Sequence, residues 1–141
     1  MLGYFDASDG NPKITLEISG TNSKKTQIPA LFDTGHNGSL SLTILQLIEI
    51  GAVLRDIGKV TYADGYSKPV YYFSVKVTID GIEKEVLASM IENPEAEEAI
   101  AGLQLFSPYI ALIDFNNQRI KFVKQEELNK EVKNEELDKE V

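Results

Sequence analysis

The residues of this sequence best suited to chemistry are three in succession, Asp33, Thr34 and Gly35. They follow an apolar run at residues 28–32, so the Asp33 carboxylate is expected where a β-strand ends. Hydrolysis of a peptide bond without a metal ion or a covalent intermediate needs two carboxylates that share one proton. One activates a water molecule and the other protonates the carbonyl oxygen. Because Asp-Thr-Gly occurs once, the second carboxylate would come from a second copy of the chain across a two-fold axis.

Two other interpretations of the triplet use the same residues. Asp, Thr and Gly all favour turns, so Asp33 is also compatible with an Asx-turn at the end of a strand. As the nucleophile or metal ligand of a phosphoryl-transfer enzyme, Asp33 would need a glycine-rich phosphate loop and a second acid with a nearby lysine. The sequence offers no such pattern, so the choice depends on what surrounds the triplet.

Composition narrows the chemistry further. The 141 residues suit one domain, and 43% hydrophobic residues are enough for a core. Without cysteine there is no disulfide or thiol catalysis, and the single histidine, His36, excludes a multi-histidine metal centre within one chain. We therefore expect no metal and no cofactor. The net charge of -8, with no basic stripe, argues against nucleic acid as a partner.

The sequence gives no sign of a membrane segment. No apolar run approaches the roughly 18 residues that are needed to cross a bilayer. Residues 1–6 lack the basic and apolar regions of a signal peptide. We expect a soluble, cytoplasmic protein without a membrane partner.

We expect a folded domain at residues 1–123 and a charged tail, helical or disordered, at residues 124–141. The tail holds seven acids and four lysines and contains a near-repeat at residues 126–132 and 135–141. Its apolar residues are spaced by four and five, which predicts a solvated helix with a thin apolar stripe. A short coil that stabilises a dimer is the alternative.

The body of the chain is expected to be mainly β. Residues 14–18 alternate between apolar and polar types, which predicts a half-buried strand, and residues 28–32 form the next one. Apolar positions within residues 41–50 favour a short helix, with Ser41 as the N-cap and Gly51 as the stop.

The remaining elements are predicted from turn signals. Asp-Gly pairs at residues 64–65 and 80–81 lie between β-branched and aromatic runs and predict two hairpins. An acidic loop follows at residues 92–98, and a single helical turn is expected at residues 103–106. A last hairpin spans residues 109–123. The whole is a mainly β domain with one or two short helices.

In this order of elements, residues 13–123 resemble the retroviral-type (retropepsin-like) aspartic proteases, and most of all their single-domain prokaryotic relatives. The resemblance is carried by Leu31-Phe32-Asp33-Thr34-Gly35, by Gly38-Ser39-Leu40, by the hairpin tip Asp64-Gly65, by Ile100-Ala101-Gly102, and by the strands Ala111-Leu-Ile-Asp-Phe and Ile120-Lys-Phe-Val. It implies a closed, β-barrel-like domain with its active site at a homodimer interface. It also implies an aspartic endopeptidase that cleaves extended polypeptides with apolar residues flanking the cut.

The resemblance also implies roles for single residues. Asp33 would be the catalytic carboxylate, Thr34 would hydrogen-bond across the dimer, and Gly35 would accept backbone contacts from the substrate. Gly102 would pack close to the loop that carries these three. Substrate-binding residues would be His36, Asn37 and Gly38 beside the subsites, Asp64, Gly65 and Tyr66 at the tip of a flap, and Ile100 in an apolar pocket.

Three features depart from the family pattern. An acid and an arginine that usually pair are replaced by Asn37 and Leu103, so neither charge is orphaned. His36 replaces a small residue, either as part of the cleft wall or as a group that shifts the working pH. The termini are longer than in retroviral enzymes, where they build much of the dimer interface. The alternative function is a non-catalytic module on the same fold that binds peptides or only dimerises; the intact triplet argues against it.

Overall fold

The computed structural model describes residues 2–139, which form ten strands, two α-helices and one 3-10 helix. In chain order these are β1 (Leu2–Phe5), β2 (Pro12–Ser19), β3 (Thr26–Phe32), β4 (Leu40–Leu42), α1 (Ile44–Ile50), β5 (Val53–Thr61), β6 (Ser67–Ile79), β7 (Ile82–Met90), β8 (Ala99–Ala101), the 3-10 helix (Leu103–Phe106), β9 (Ile110–Asp114), β10 (Arg119–Val123) and α2 (Gln125–Lys139).

Six of the strands close into a ring. Strand β2 pairs with β3, β3 with β8, β8 with β4, β4 with β7 and β7 with β6, and β6 returns to β2. The ring surrounds a core of aliphatic side chains such as Ile14, Leu16 and Ile18, each no more than 1% exposed. The prediction of a mainly β, closed domain with short helices is therefore confirmed. The homodimer interface stays a prediction.

Beyond the ring, three strands continue the sheet from β2 in the order β1, β10, β9, and β5 extends it from β6. The N-terminal strand β1 lies between β2 and β10 and pairs with both in antiparallel fashion. The described N-terminal residues are thus paired within their own chain.

The prediction of Ser41 as the N-cap of the first helix is wrong. Helix α1 begins at Ile44, and its N-cap is Thr43, whose hydroxyl accepts a hydrogen bond from the Gln46 N–H while the Gln46 side chain accepts one from the Thr43 N–H. This reciprocal pair is a capping box. Ser41 is instead a buried residue of β4. The stop at Gly51 is confirmed, with φ +66 in the left-handed region.

The hairpin of β5 and β6 projects from the ring. Within the part of the chain that is described, residues 67–71 of β6 pair with β5 alone, because pairing with β7 starts only at Tyr72. The projecting ribbon therefore consists of residues 57–61 and 67–71 with the turn between them.

The tail is helical over Gln125–Lys139, and the last two residues of its near-repeat, 140 and 141, lie outside the described residues. The division of the chain near residue 124 stays a prediction. Among residues 2–139 there is no helix of the length and apolar character that crossing a membrane requires.

Candidate active site

Asp33 lies directly after β3, and the last residue of that strand, Phe32, packs in the core. The ring of Phe32 is 6% exposed and meets the rings of Phe106 and Phe122 edge-on, with centroids 5.3 and 5.2 Å away. Strand β3 also runs parallel to β8, with Phe32 opposite Ala101. The residue that precedes the carboxylate is therefore held by packing and by sheet pairing together.

Hydrogen bonds shape the turn that carries the triplet. The Asp33 N–H donates to the Ala101 carbonyl at 3.0 Å, and the His36 N–H donates to the Asp33 carbonyl at 3.2 Å. The Asp33 Oδ1 accepts from the Gly35 N–H at 2.9 Å. This is an Asx-turn, so the turn interpretation describes the conformation of Asp33 whatever its chemistry. Asp33 is half-buried, whereas Thr34 and Gly35 are exposed.

A second segment, residues 102–104, holds the loop of residues 33–39 in place through backbone hydrogen bonds. Its backbone N–H groups donate to three loop carbonyls: Gly102 to Ser39 at 2.9 Å, Leu103 to His36 at 3.0 Å, and Gln104 to Gly38 at 3.3 Å. A Cβ atom on Gly102 would lie 2.7 Å from the His36 carbonyl oxygen. Gly102 thus packs closely against the loop, as predicted.

The structure brings residues 33–38 together with the β8 region that contains Ile100. Ile100 is half-buried and lies between Leu31 of β3 and Ser41 of β4 in the sheet register. Gly38 is half-buried and Asn37 is exposed. The subsite roles of these residues stay predictions.

The side chain of His36 is half-buried and is directed toward a strand of the barrel. Its Nε2 lies 3.2 Å from the Ser41 Oγ, and the Ser41 Oγ lies 2.5 Å from the Ser89 Oγ. Local sequence patterns do not reveal this contact, since they predict Ser41 as a helix cap and say nothing of its distance from Ser89.

The tip of the projecting hairpin is built separately, from its own local hydrogen bonds. The Tyr66 N–H donates to the Asp64 Oδ1 at 2.9 Å, and the Gly65 N–H donates to the Tyr62 carbonyl at 2.9 Å. Gly65 has φ +85, which explains the need for glycine at this position. Asp64, Gly65 and Tyr66 are all exposed.

The residues described here show no group of three or more His, Cys, Asp or Glu side chains placed to hold a metal ion. The arrangement around Asp33 offers one carboxylate, braced backbone groups and an exposed glycine edge. A site with two such carboxylates would need the Asp33 side chain of a second copy, which stays a prediction.

Comparisons with known proteins do not assign the chain to a family. No family model matches it, and no curated protein matches it either. Among solved structures it is similar to the EIAV protease complexed with the inhibitor HBY-793. The sequences are 16% identical with a TM-score of 0.44, and the match covers 69% of this chain and 86% of the other. So distant a likeness says nothing about activity, which has to be argued from the residues themselves.

Proposed function

We propose that this protein is an aspartic endopeptidase that acts as a homodimer on extended polypeptides. The observation that carries the proposal is the placement of Asp33. It follows a strand whose last residue is buried, and its N–H donates to the Ala101 carbonyl, while the N–H groups of residues 102–104 donate to the carbonyls of the loop behind it. Such bracing fixes a carboxylate in advance of the reaction, and preorganisation of this kind is what a catalytic group requires.

The chemistry needs the Asp33 side chains of two copies and a single proton between them. The ionised carboxylate takes a proton from water as the water oxygen bonds to the peptide carbon, and the protonated one gives its proton to the carbonyl oxygen. Collapse of the resulting diol breaks the C–N bond, and a proton passes to the leaving nitrogen. The pair ends with one proton, as it began.

The exposed side chains of the projecting hairpin support the proposal that the substrate is a polypeptide. The hairpin carries four large side chains that are between 41% and 59% exposed, namely Ile57, Val60, Tyr62 and Tyr66. Exposed apolar side chains gathered on one ribbon are typical of a surface that becomes covered by a ligand or a partner. We assign to this hairpin, with Gly65 at its tip, the cover over an extended peptide.

A non-catalytic module is the second candidate. The observation that favours it is the exposed pair Asn37 and Leu103, which leaves the loop without the charged pair of the retroviral pattern. A scaffold, however, has no use for a carboxylate held this firmly at a strand end.

The test compares Asp33→Asn with Asp56→Asn, a change at an exposed aspartate of β5 whose Oδ1 accepts from the N–H of Ile57. Cleavage of an unstructured protein is followed from about pH 3 to 7, and the oligomeric state by light scattering. We expect a dimeric wild type with a bell-shaped pH profile. Asp33→Asn should lose cleavage and stay dimeric, while Asp56→Asn stays active.

Two results would overturn the proposal. Retained cleavage in Asp33→Asn would remove its catalytic role. A dimer that binds peptides at every pH without cutting them would establish the non-catalytic module instead.

A further inference from the structure

The ring of His36 links the loop of Asp33 to the wall of the barrel. Its Nε2 lies 3.2 Å from the Ser41 Oγ, and Ser41 is 5% exposed in β4. The backbone of His36 is held as well, since its N–H donates to Asp33 and its carbonyl accepts from Leu103. Hydrogen bonds therefore hold both the side chain and the backbone of His36.

Ser41 is fixed in turn by Ser89. The two strands β4 and β7 run parallel with Ser41 opposite Ser89, so their hydroxyls face one another and meet at 2.5 Å. Sheet pairing therefore determines where the Ser41 hydroxyl stands, independently of the loop.

The three polar groups form one connected chain. Ser41 has a single hydroxyl proton, so it donates to one neighbour and accepts from the other. Either the His36 Nε2–H donates to Ser41 and Ser41 donates to Ser89, or both bonds run the opposite way. In both arrangements the ring orientation is fixed, and the imidazole tautomer follows from the direction of the chain.

Two glycines leave the space that the ring occupies. A Cβ atom on Gly38 would stand 3.1 Å from the His36 Nε2, and one on Gly102 would press against the ring carbon Cδ2. The imidazole therefore fills a slot between Gly38 and Gly102 with its polar end on Ser41. Packing and hydrogen bonding select the same orientation.

We propose that His36 is a positioning residue, which holds the Asp33 turn in its working geometry through the link from His36 to Ser41 and Ser89. The inference rests on the proposed function of Asp33 and assigns His36 to the support of the carboxylate rather than to the substrate. The link ends close to the projecting hairpin. Ser89 lies opposite Tyr72, the residue that directly follows residues 67–71 of the ribbon.

The link is tested first without any activity. His36 is the single histidine, so the imidazole 15N signals of the labelled protein belong to one residue. At fixed pH, Ser41→Ala should shift the Nε2 signal and change the tautomer population, and Ser89→Ala should do so more weakly. Ser74→Ala is the control, since the Ser74 hydroxyl bonds Glu85 on the same sheet. Nε2 signals that stay unchanged in both Ser41→Ala and Ser89→Ala would overturn the proposal.

The positioning role is tested by kinetics. His36→Ala and Ser41→Ala should each lower kcat by about 10- to 100-fold with little change in KM, because a small displacement of a catalytic group costs rate rather than binding. The double variant should be no worse than His36→Ala alone, and His36→Gln should recover part of the loss. A higher KM in His36→Ala, with Ser41→Ala fully active, would show that His36 contacts substrate. A wild type that never cleaves refutes the proposed function, while the 15N signals still decide whether the link exists.

Discussion

The backbone of Gly102 lies so close to that of His36 that a Cβ atom on Gly102 would stand 2.7 Å from the His36 carbonyl oxygen. Glycine is needed at this position because there is no room for a side chain, and not because of the backbone conformation. Gly102 has φ -97 and ψ 177, which any residue adopts. The late glycine is thus required because two backbone segments, one after β3 and one after β8, meet without room for a side chain.

Gly102→Ala should therefore destabilise the protein and displace the Asp33 turn. The added methyl group forces apart segments joined by backbone hydrogen bonds, and overpacking of this kind costs about 1–3 kcal/mol. Urea unfolding measures the loss. Gly65→Ala is the control: apart from its chain neighbours, a Cβ atom there would meet no described atom within 4 Å, and only its φ of +85 opposes a side chain. Equal stability of Gly102→Ala and the wild type would contradict the packing described here.

Much of the neighbourhood of Asp33 could be predicted because its signals are local. Alternating residues gave β2, Asp-Gly pairs gave the hairpins, and the apolar run before Asp33 gave β3. Strand β4 could not be predicted, since its three residues are all buried and merge with the apolar pattern of the helix behind them. The bond between Ser41 and Ser89 joins residues 48 apart and depends on strand order, which local patterns do not contain.

The burial of Lys13 is a second feature that local sequence patterns do not reveal. Lysine side chains are seldom buried, yet Lys13 is 7% exposed. The covering comes from carboxylates on two loops: Asp6 and Asp9 lie 3.2 and 2.8 Å from its Nζ, and Glu98 lies 2.6 Å away. Glu98 directly precedes β8, the strand that runs beside β3. Lys13 therefore connects the N-terminal turn to the strand that leads to Gly102.

The Lys13 cluster should make the fold sensitive to acid. The Ser8 N–H and hydroxyl, and then Lys13, lower the pKa of Asp6 from 3.8 to about 2. Lys13, followed by the Asn11 N–H, also lowers the pKa of Asp9. A carboxyl group with a depressed folded pKa stabilises the fold above its unfolded pKa and stops doing so as the pH falls through the folded value. Stability should thus decline from about pH 3.8 to about pH 2.

Thermal unfolding against pH measures this, with Lys13→Met as the diagnostic variant. Removing the ammonium should lower Tm at neutral pH and flatten the decline in acid, because Asp6 and Asp9 lose a cation that depresses their pKa values. Lys76→Met is the matched control, since the pair of Lys76 and Glu83 is exposed. An acid decline in Lys13→Met as steep as in the wild type would exclude the Lys13 ammonium as its source.

The start of helix α1 provides a third prediction. Thr43→Ala removes the hydroxyl that accepts from Gln46 and should cost about 1 kcal/mol in the free energy of unfolding. Thr43→Ser keeps the hydroxyl and should cost less, which separates capping from the lost methyl group. Denaturant unfolding of the two variants gives the comparison. If Thr43→Ser is as damaging as Thr43→Ala, the methyl group and not the cap holds the helix end.

The tip of the hairpin provides the last prediction, which rests on the proposed function. Asp64→Ala removes the acceptor for the Tyr66 N–H and so loosens an exposed turn whose residues pack little against the barrel. Stability should hardly change, since surface substitutions of this kind stay within about 0.5 kcal/mol. If the hairpin covers the bound peptide, a looser tip weakens substrate binding, and KM should rise several-fold with kcat nearly constant. Asp56→Ala, on the same hairpin but away from its tip, should leave both constants unchanged. A kcat that falls at constant KM would instead place the tip among the groups that act on the transition state.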